Sequence, residues 1–255
     1  MNCTVRENKL LAEGFHYLSV EPDRPVGAIT AGQFMMLQVS ASTDPLLRRP
    51  MSVADFEPDG SRFGFVIQVA GRGTRLLASL APGDVVDILG PFGAGFAIPG
   101  NGSRLWIVAG GTGVAPFIGM VNQLKEPDNT TLFLGARSNR FLLYKDFFQK
   151  AGAKVMAATE DGSEGYRGVV TGLIKCELEN DDQPETIFTC GPAPMMRAVA
   201  EIAVGKGISC YASLESQMAC GFGACLGCVT KIKGEDRYTT VCSKGPVFDV
   251  TEVTI

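Results

Sequence analysis

Leu105-Trp106-Ile107-Val108-Ala109-Gly110-Gly111-Thr112-Gly113-Val114-Ala115-Pro116, running on through Phe117 to Leu124, is the stretch that decides the fold. Its first five residues form the continuous apolar run of a buried strand, the glycines interrupt it, and Pro116 stands where a helix begins. Taken whole, the twenty uncharged residues between Arg104 and Lys125 are long enough to cross a bilayer. Gly110, Gly111, Gly113 and Pro116 in its middle argue against that, because backbone left unpaired in lipid is costly. Strand, glycine turn and helix is therefore the expectation, with Gly111-Thr112-Gly113-Val114-Ala115-Pro116 at the turn. Glycines there let the backbone approach a pyrophosphate, and the helix N-terminus adds free N–H groups and a positive dipole end. A tight turn that merely joins two elements would read the same way, so the motif needs support from elsewhere.

Working outward, apolar runs at 131–135, 154–159 and 186–189 read as further buried parallel strands. Helical patterns at 114–125, 144–151 and 194–204 lie between them. Thr189-Cys190-Gly191-Pro192-Ala193-Pro194 closes the fourth strand. In an open α/β sheet ligands sit outside the carboxyl ends of the strands, which would place Gly113 and Cys190 on one rim. A strand-ending turn with Pro194 at a helix start fits the same residues.

Upstream, residues 1–97 break into short β-like runs at 15–20, 33–39, 51–54, 63–69 and 85–89, separated by Gly and Pro, as in an antiparallel barrel. One helix-like segment, 74–80, interrupts them. Gly90 to Phe96 reads as an irregular loop and Pro99-Gly100-Asn101-Gly102 as a linker. This barrel carries Arg48-Arg49-Pro50-Met51-Ser52, Val66-Ile67-Gln68 and Gly71-Arg72-Gly73-Thr74. A guanidinium can fork onto a diphosphate, Ser52 can meet a flat polar ring edge, and Gly73-Thr74 at a helix start would be an anion site. By themselves these residues are equally ordinary for a barrel surface.

Downstream, Cys220-Gly221-Phe222-Gly223-Ala224-Cys225-Leu226-Gly227-Cys228 is followed after thirteen residues by Cys242. Spacings of four and two plus a distant fourth cysteine fit the plant-type arrangement for a [2Fe-2S] cluster. The glycines permit tight backbone that aims amides at the cluster sulfurs. A four-cysteine zinc site is the alternative, although zinc ligands usually come as two separate short loops. Cys3, Cys176 and Cys210 have no ligand spacing and read as small buried hydrophobes.

Composition bounds the rest. The chain has 255 residues, 20% charged and 45% apolar, with 27 acidic against 23 basic side chains, a net charge of −4. That excludes a disordered or nucleic-acid-binding composition, and eight cysteines are too few for a secreted disulfide scaffold. Charges within Met1 to Lys9 stand where a signal peptide needs an apolar stretch, so a cytoplasmic chain with reduced thiols is expected. His16 is the sole histidine. With so few candidate general bases, proton abstraction by the protein is not expected. The fold class is thus an N-terminal antiparallel β-barrel (1–99), a parallel-sheet α/β domain (100–209) and a small cysteine module (210–255). At about 45 residues, a module of that size often relies on metal in place of core.

The succession Arg49-Pro50-Met51-Ser52, Gly111-Thr112-Gly113-Val114-Ala115-Pro116, Cys190-Gly191-Pro192 and a terminal cysteine cluster resembles the ferredoxin–NADP reductase superfamily over nearly the whole chain. Within it, Glu215-Ser216-Gln217-Met218-Ala219-Cys220 through Cys228, and Val241-Cys242-Ser243-Lys244-Gly245-Pro246-Val247-Phe248, resemble the electron-transfer subunits of NAD-dependent dihydroorotate dehydrogenases of pyrimidine (UMP) biosynthesis. The resemblance implies that Arg49 holds the FAD diphosphate, that Pro50, Met51 and Ser52 line the isoalloxazine, and that Val66, Ile67 and Gln68 contact the flavin or its ribityl chain. Gly73 and Thr74 would meet phosphate. Gly111 to Pro116 would form the NAD phosphate loop, with Cys190 and Gly191 at the nicotinamide, and Cys220, Cys225, Cys228 and Cys242 would ligate the cluster. It also implies a relay. An FMN-containing catalytic subunit, two of each chain in a heterotetramer, would oxidise dihydroorotate, and electrons would pass through [2Fe-2S] and FAD to NAD+. Two departures stand out. Met51 replaces the tyrosine common at that position, and Cys242 follows more closely than in plant ferredoxins. The smaller chain of an NAD(P)H–ferredoxin or sulfide oxidoreductase shares the same core. Arg137 and Arg140, after the second strand of the α/β domain, leave the choice between NAD and NADP open.

Overall fold

Period-two alternation builds the first half of the molecule. In β5 (Phe63–Gln68), Phe63, Phe65 and Ile67 fill a closed interior while Val66 and Gln68 face outward. With β1 (Asn2–Ala12), β2 (Phe15–Pro22), β3 (Phe34–Leu37), β4 (Arg49–Phe56) and β6 (Val85–Phe92), it closes a barrel in the order β1-β2-β5-β4-β3-β6. Each neighbouring pair is antiparallel. Helix α1 (Arg72–Ala78) plugs one end through Leu77. The computed structural model describes residues 1–40, 42–100, 102–124, 126–179 and 183–255.

The second half is a seven-stranded sheet of β7 (Leu105–Gly110), β8 (Thr130–Ala136), β9 (Lys154–Thr159), β10 (Tyr166–Arg167), β11 (Thr186–Cys190), β12 (Ser209–Ser213) and β15 (Val247–Asp249). Its order is β10-β9-β8-β7-β11-β12-β15, parallel except for β15 against β12. The chain steps from β7 to β8 and β9 on one side and returns to β11 and β12 on the other. Between β7 and β11 lies the switch point, where such sheets bind ligands. Helices α2 (Ala115–Val121) and α3 (Lys145–Lys150) pack with the barrel-facing core. Helices α4 (Val170–Glu177) and α5 (Ala193–Lys206) cover the other face. The hairpin β13 (Val229–Lys231) and β14 (Tyr238–Thr240) and the short α6 (Val241–Lys244) carry the cysteine module.

Several expectations are corrected. Strand β1 was not anticipated: Arg6, Glu7 and Lys9 mask its alternation, and two bulges break its register. Residues 90–92, read as loop, continue β6, because Phe92 still pairs with Phe34 across β3. The helix expected at 114–125 is a 3-10 turn, Gly111–Val114, followed by α2, which ends at Val121. Lys125 at that helix's end and Asn101 in the expected linker lie outside the described residues. The last strand, β15, stops at Asp249, after which the Val250 N–H bonds to the Cys210 carbonyl at 3.0 Å. Among the described residues no helix is long and apolar enough to cross a membrane.

Candidate functional site

Two openings meet where the barrel touches the carboxyl rim of the sheet. The smaller, about 230 Å³, is lined by Pro50, Met51 and Ser52 of β4, Val66 and Gln68 of β5, Thr112 and Ala115, Cys190, and Ser213 to Ser216 beyond β12. The larger, about 640 Å³, runs along the strand ends past Gly110, Gly111, Thr112, Arg137, Glu160, Val169 and Gly191. Gln68, Thr112 and Glu215 line both. A flat ring in the first space and a dinucleotide in the second would therefore meet at these three residues.

On the barrel side, register decides which side chains reach the cleft. Val66 and Gln68 do, whereas the Ile67 side chain lies in the barrel interior and leaves only its backbone for a ligand. The two arginines also divide. Arg48 is held by Asp87, donating to its carbonyl and to Oδ2, each at 2.7 Å. Burial pushes the Asp87 carboxyl up, but the Arg48 guanidinium and the N-terminal ammonium outweigh it and hold it below its ordinary value. Arg49 instead lies over Gly73, where an added side chain would stand 2.8 Å from its Nε. Of the two arginines, Arg49 is thus the one beside the start of α1. The Thr74 hydroxyl accepts from Ala70 and Gly71 N–H at 3.0 and 3.1 Å, so it shapes the start of α1.

On the sheet side, the turn after β7 passes so close to β11 that a side chain at Gly113 would overlap the Cys190 carbonyl and stand 2.6 Å from Gly191 N. Gly191 has φ +147° and backs onto Gly110. These contacts put the phosphate-loop candidate and Cys190 on one rim, whereas Val114 and Pro116 are buried beneath the loop and support it. Cys190 is 2% exposed. Burial pushes its thiol up to about 12, aided by nearby Glu215 and opposed by the Ser213 hydroxyl, so at neutral pH it stays a neutral thiol. Glu215 lines both openings while keeping contact with solvent, and partial desolvation there raises its carboxyl. The sequence reading gave it no role, because β12, the short strand that aims it, carries too little periodicity to be seen. Phe34, Met218 and Pro246 also wall the cleft and were given no role, because their approach to it depends on tertiary packing between separate elements.

The cysteine module shows whether it fits a cluster. Gly221 and Gly223 take φ +84° and +88°, and Leu226, a non-glycine, takes +55°. The loop so formed turns the N–H groups of Cys225, Phe222 and Ala224 toward the Cys220 sulfur, lowering its thiol to about 6. Cys242 donates its N–H to the Cys228 sulfur at 3.4 Å. Burial and then this neighbouring thiol raise Cys242 to about 12. The sulfurs thus form two adjacent pairs, Cys220 with Cys225 and Cys228 with Cys242. Among the described residues no three ligating side chains converge on one point. Two irons with two sulfurs each match this set better than a single ion, and the inward-pointing amides suit a cluster's sulfurs.

Barrel, switch-point rim and shared cleft define a flavin- and nicotinamide-binding oxidoreductase of the ferredoxin reductase type. Among solved structures of this fold is a ferredoxin–NADP+ reductase from Neisseria gonorrhoeae with bound FAD and NADP, at 20% identity and TM-score 0.67, over 81% of this chain and 91% of that one. Another is an NADH-dependent reduced ferredoxin–NADP oxidoreductase studied for flavin-based electron bifurcation, at 28% identity and TM-score 0.88, over 99% of this chain and 89% of that one. Residues 107–201 match the oxidoreductase NAD-binding domain, and residues 215–254 the iron-sulfur cluster binding domain of dihydroorotate dehydrogenase B. The dihydroorotate dehydrogenase B (NAD(+)) electron transfer subunit of Bacillus caldolyticus is 39% identical over 99% of this chain and 97% of its own length. That of Fusobacterium nucleatum is 34% identical over 100% and 98%. The chain belongs to the family of electron transfer subunits of dihydroorotate dehydrogenase B (NAD(+)).

Proposed function

We propose that the chain carries electrons from a dihydroorotate-oxidising, FMN-containing catalytic subunit to NAD+, with the flavin ring of FAD in the 230 Å³ cleft, NAD along the strand ends and [2Fe-2S] in the cysteine loop. The observation that carries this reading is the shared wall. Gln68 and Thr112 face both openings, and Met218, two residues before Cys220, closes the flavin side. When bound, the cluster supplies one-electron steps and the flavin joins them to hydride exchange with the nicotinamide. The protein's part is to bind and orient. Arg49 and Gly73 take the diphosphate, Pro50 to Ser52 with Val66 and Gln68 hold the ring, and Gly111 to Gly113 admit the nicotinamide nucleotide's pyrophosphate. Cys190, uncharged and packed against Gly113, fixes the depth at which the nicotinamide lies. Since every covalent change falls on cofactors and coenzyme, the scarcity of general bases is no obstacle. The domain division proposed with this function remains barrel 1–99, nucleotide domain 100–209 and cluster module 210–255.

A partner is consistent with the surface of that module. Phe222 and Leu226 are 57% and 64% exposed on the loop that carries Cys225, itself exposed, and apolar groups gathered beside a redox centre mark a docking face. Two chains of each kind in a cytoplasmic heterotetramer is the assembly proposed; eight free cysteines suit a reducing compartment. The fold of the ferredoxin–NADP oxidoreductase noted above keeps a second reading in view, the smaller chain of an NAD(P)H–ferredoxin oxidoreductase. Purified alone, the chain should be yellow-brown, oxidise NADH with artificial acceptors and leave dihydroorotate untouched. Co-expression with an FMN-type catalytic subunit should confer dihydroorotate-dependent NAD+ reduction. Dihydroorotate oxidation by the isolated chain would overturn the assignment, and ferredoxin-linked activity in its place would favour the second reading.

A further inference from the structure

Strand β3 lies between the flavin-lining strand β4 and the edge of the cysteine loop, and two of its side chains, Phe34 and Met36, point out of the barrel toward that module. Met36 lies opposite Pro50 and Phe34 opposite Ser52, so each is one strand spacing, about 4.8 Å, from a residue of the flavin cleft. On its other side Met36 presses onto the cysteine loop. A side chain at Gly221 would stand 2.6 Å from Met36 Cγ and 3.1 Å from its sulfur, with Phe92 next at 3.4 Å. The Phe92 ring lies 6.0 Å from that of Phe34 and 6.3 Å from that of Phe222, which sits within the cysteine loop. Met36 is wholly buried, and Phe34, Met36, Cys228 and Cys242 belong to one core. Two hydrogen-bonded clasps hold the margin: Ala94 N–H to the Gly245 carbonyl at 2.6 Å and Leu214 N–H to the Pro246 carbonyl at 2.9 Å.

We propose that Met36 and Phe92 form a dry seam that fixes the cysteine loop against the flavin strands and sets the potential of the cluster it holds. Both are positioning residues, and the inference rests on the cluster reading above. Its physical basis is charge. Reduction adds a negative charge to the cluster, and an apolar, water-free neighbour opposes that more than a polar one does. The thioether next to Gly221 is such a neighbour, and its flexible stem fills the space left by the missing side chain.

The test is an EPR-monitored redox titration of the FAD- and cluster-loaded protein. Met36→Gln, close in size but polar, should raise the cluster midpoint enough to change the reduced-to-oxidised ratio about tenfold at the wild-type midpoint. Met36→Leu should titrate as wild type, and the flavin should be unmoved in both. If Met36→Gln does not fold, Phe92→Gln at the half-buried end of the seam should show the same shift. A glutamine variant with full cluster and FAD content that titrates at the wild-type potential overturns the seam. A wild-type protein without a [2Fe-2S] signal overturns the cluster reading instead, and the two failures are distinct.

Discussion

Gly113→Ala tests whether the nucleotide rim works as a single unit. The added methyl would overlap the Cys190 carbonyl and stand 2.6 Å from Gly191 N, all of it backbone that cannot swing aside. Restoring van der Waals contact near 3.5 Å requires the loop and β11 to separate by roughly 1 Å. Overpacking of this kind costs about 1–3 kcal/mol, and a displacement near 1 Å at a reacting site can lower a rate about 100-fold. The Arg49 and Gly73 end of the barrel is untouched, so the displacement falls where the rim meets the flavin cleft, at Cys190 and Thr112. The expectation is a fall in kcat/KM for NADH of between about 10- and 100-fold with an artificial acceptor. FAD content and the cluster's absorption should remain at wild-type levels. Stopped-flow reduction of the flavin by NADH separates the two causes: looser loop geometry raises Kd, while a displaced nicotinamide slows the reduction step. Wild-type kcat/KM in a folded Gly113→Ala protein would refute the assignment of this turn and of Cys190 to one coenzyme.

Other outcomes follow from single contacts. Glu160 leaves the end of β9 facing the groove and makes no ion pair among the described residues, so it can accept from a ribose diol and would repel a 2′-phosphate. Glu160→Gln should therefore reduce the preference for NADH over NADPH about tenfold, measured as a ratio of kcat/KM values, and an unchanged ratio would assign selectivity elsewhere. Cys225→Ser removes the most exposed ligand candidate; it should abolish the [2Fe-2S] absorption while NADH oxidation by dyes persists, and retention of full iron content would exclude Cys225 as a ligand. Arg48→Met should destabilise the protein at pH 7 by about 0.2–1 kcal/mol, a discounted figure because the ion pair is partly exposed. Since the folded Asp87 carboxyl lies below its ordinary value, this stabilisation is complete above about pH 4 and fades as pH falls through the folded value. Melting curves should show the wild-type advantage in full at pH 7 and a shrinking one as pH falls below about 4.

How much of this was legible in sequence depended on how far apart the cooperating residues lie. The switch-point strand and its turn were plain from Leu105 to Pro116, because a buried parallel strand writes itself as an unbroken apolar run. The four cysteines were equally plain, since ligand spacing is local. By contrast Ile67 was grouped with Val66 and Gln68, although period two sends it to the opposite face, a distinction that needs the barrel's inside to be known first. Arg48 and Arg49 are adjacent in sequence and differ in task only because Asp87, on β6, claims the former. Glu215, Met218 and Pro246 reach the cleft only once β12 and β15 have joined the edge of the sheet, and both strands are too short to show a period.

The two sides of the flavin cleft are built for opposite tasks. Toward the nicotinamide groove the walls are glycine backbone, Gly110, Gly111 and Gly191, and the neighbouring space is wide and open to solvent, as an exchangeable coenzyme requires. Toward the cysteine loop the wall is Phe34 and Met218, backed by Met36, each under a tenth exposed and part of one core with Cys228 and Cys242. A core of that kind does not breathe on the timescale of coenzyme exchange, because opening it exposes apolar surface at about 25 cal/mol per Å². Coenzyme can thus come and go without altering the separation between flavin and cluster. Because the module supplies Met218 and Pro246 to the flavin's own wall, loss of the cysteine loop's fold would open the cleft as well. On the proposed placement of the flavin the cluster module is part of its site, and the two should be lost together on unfolding, whereas nicotinamide binding can be weakened alone.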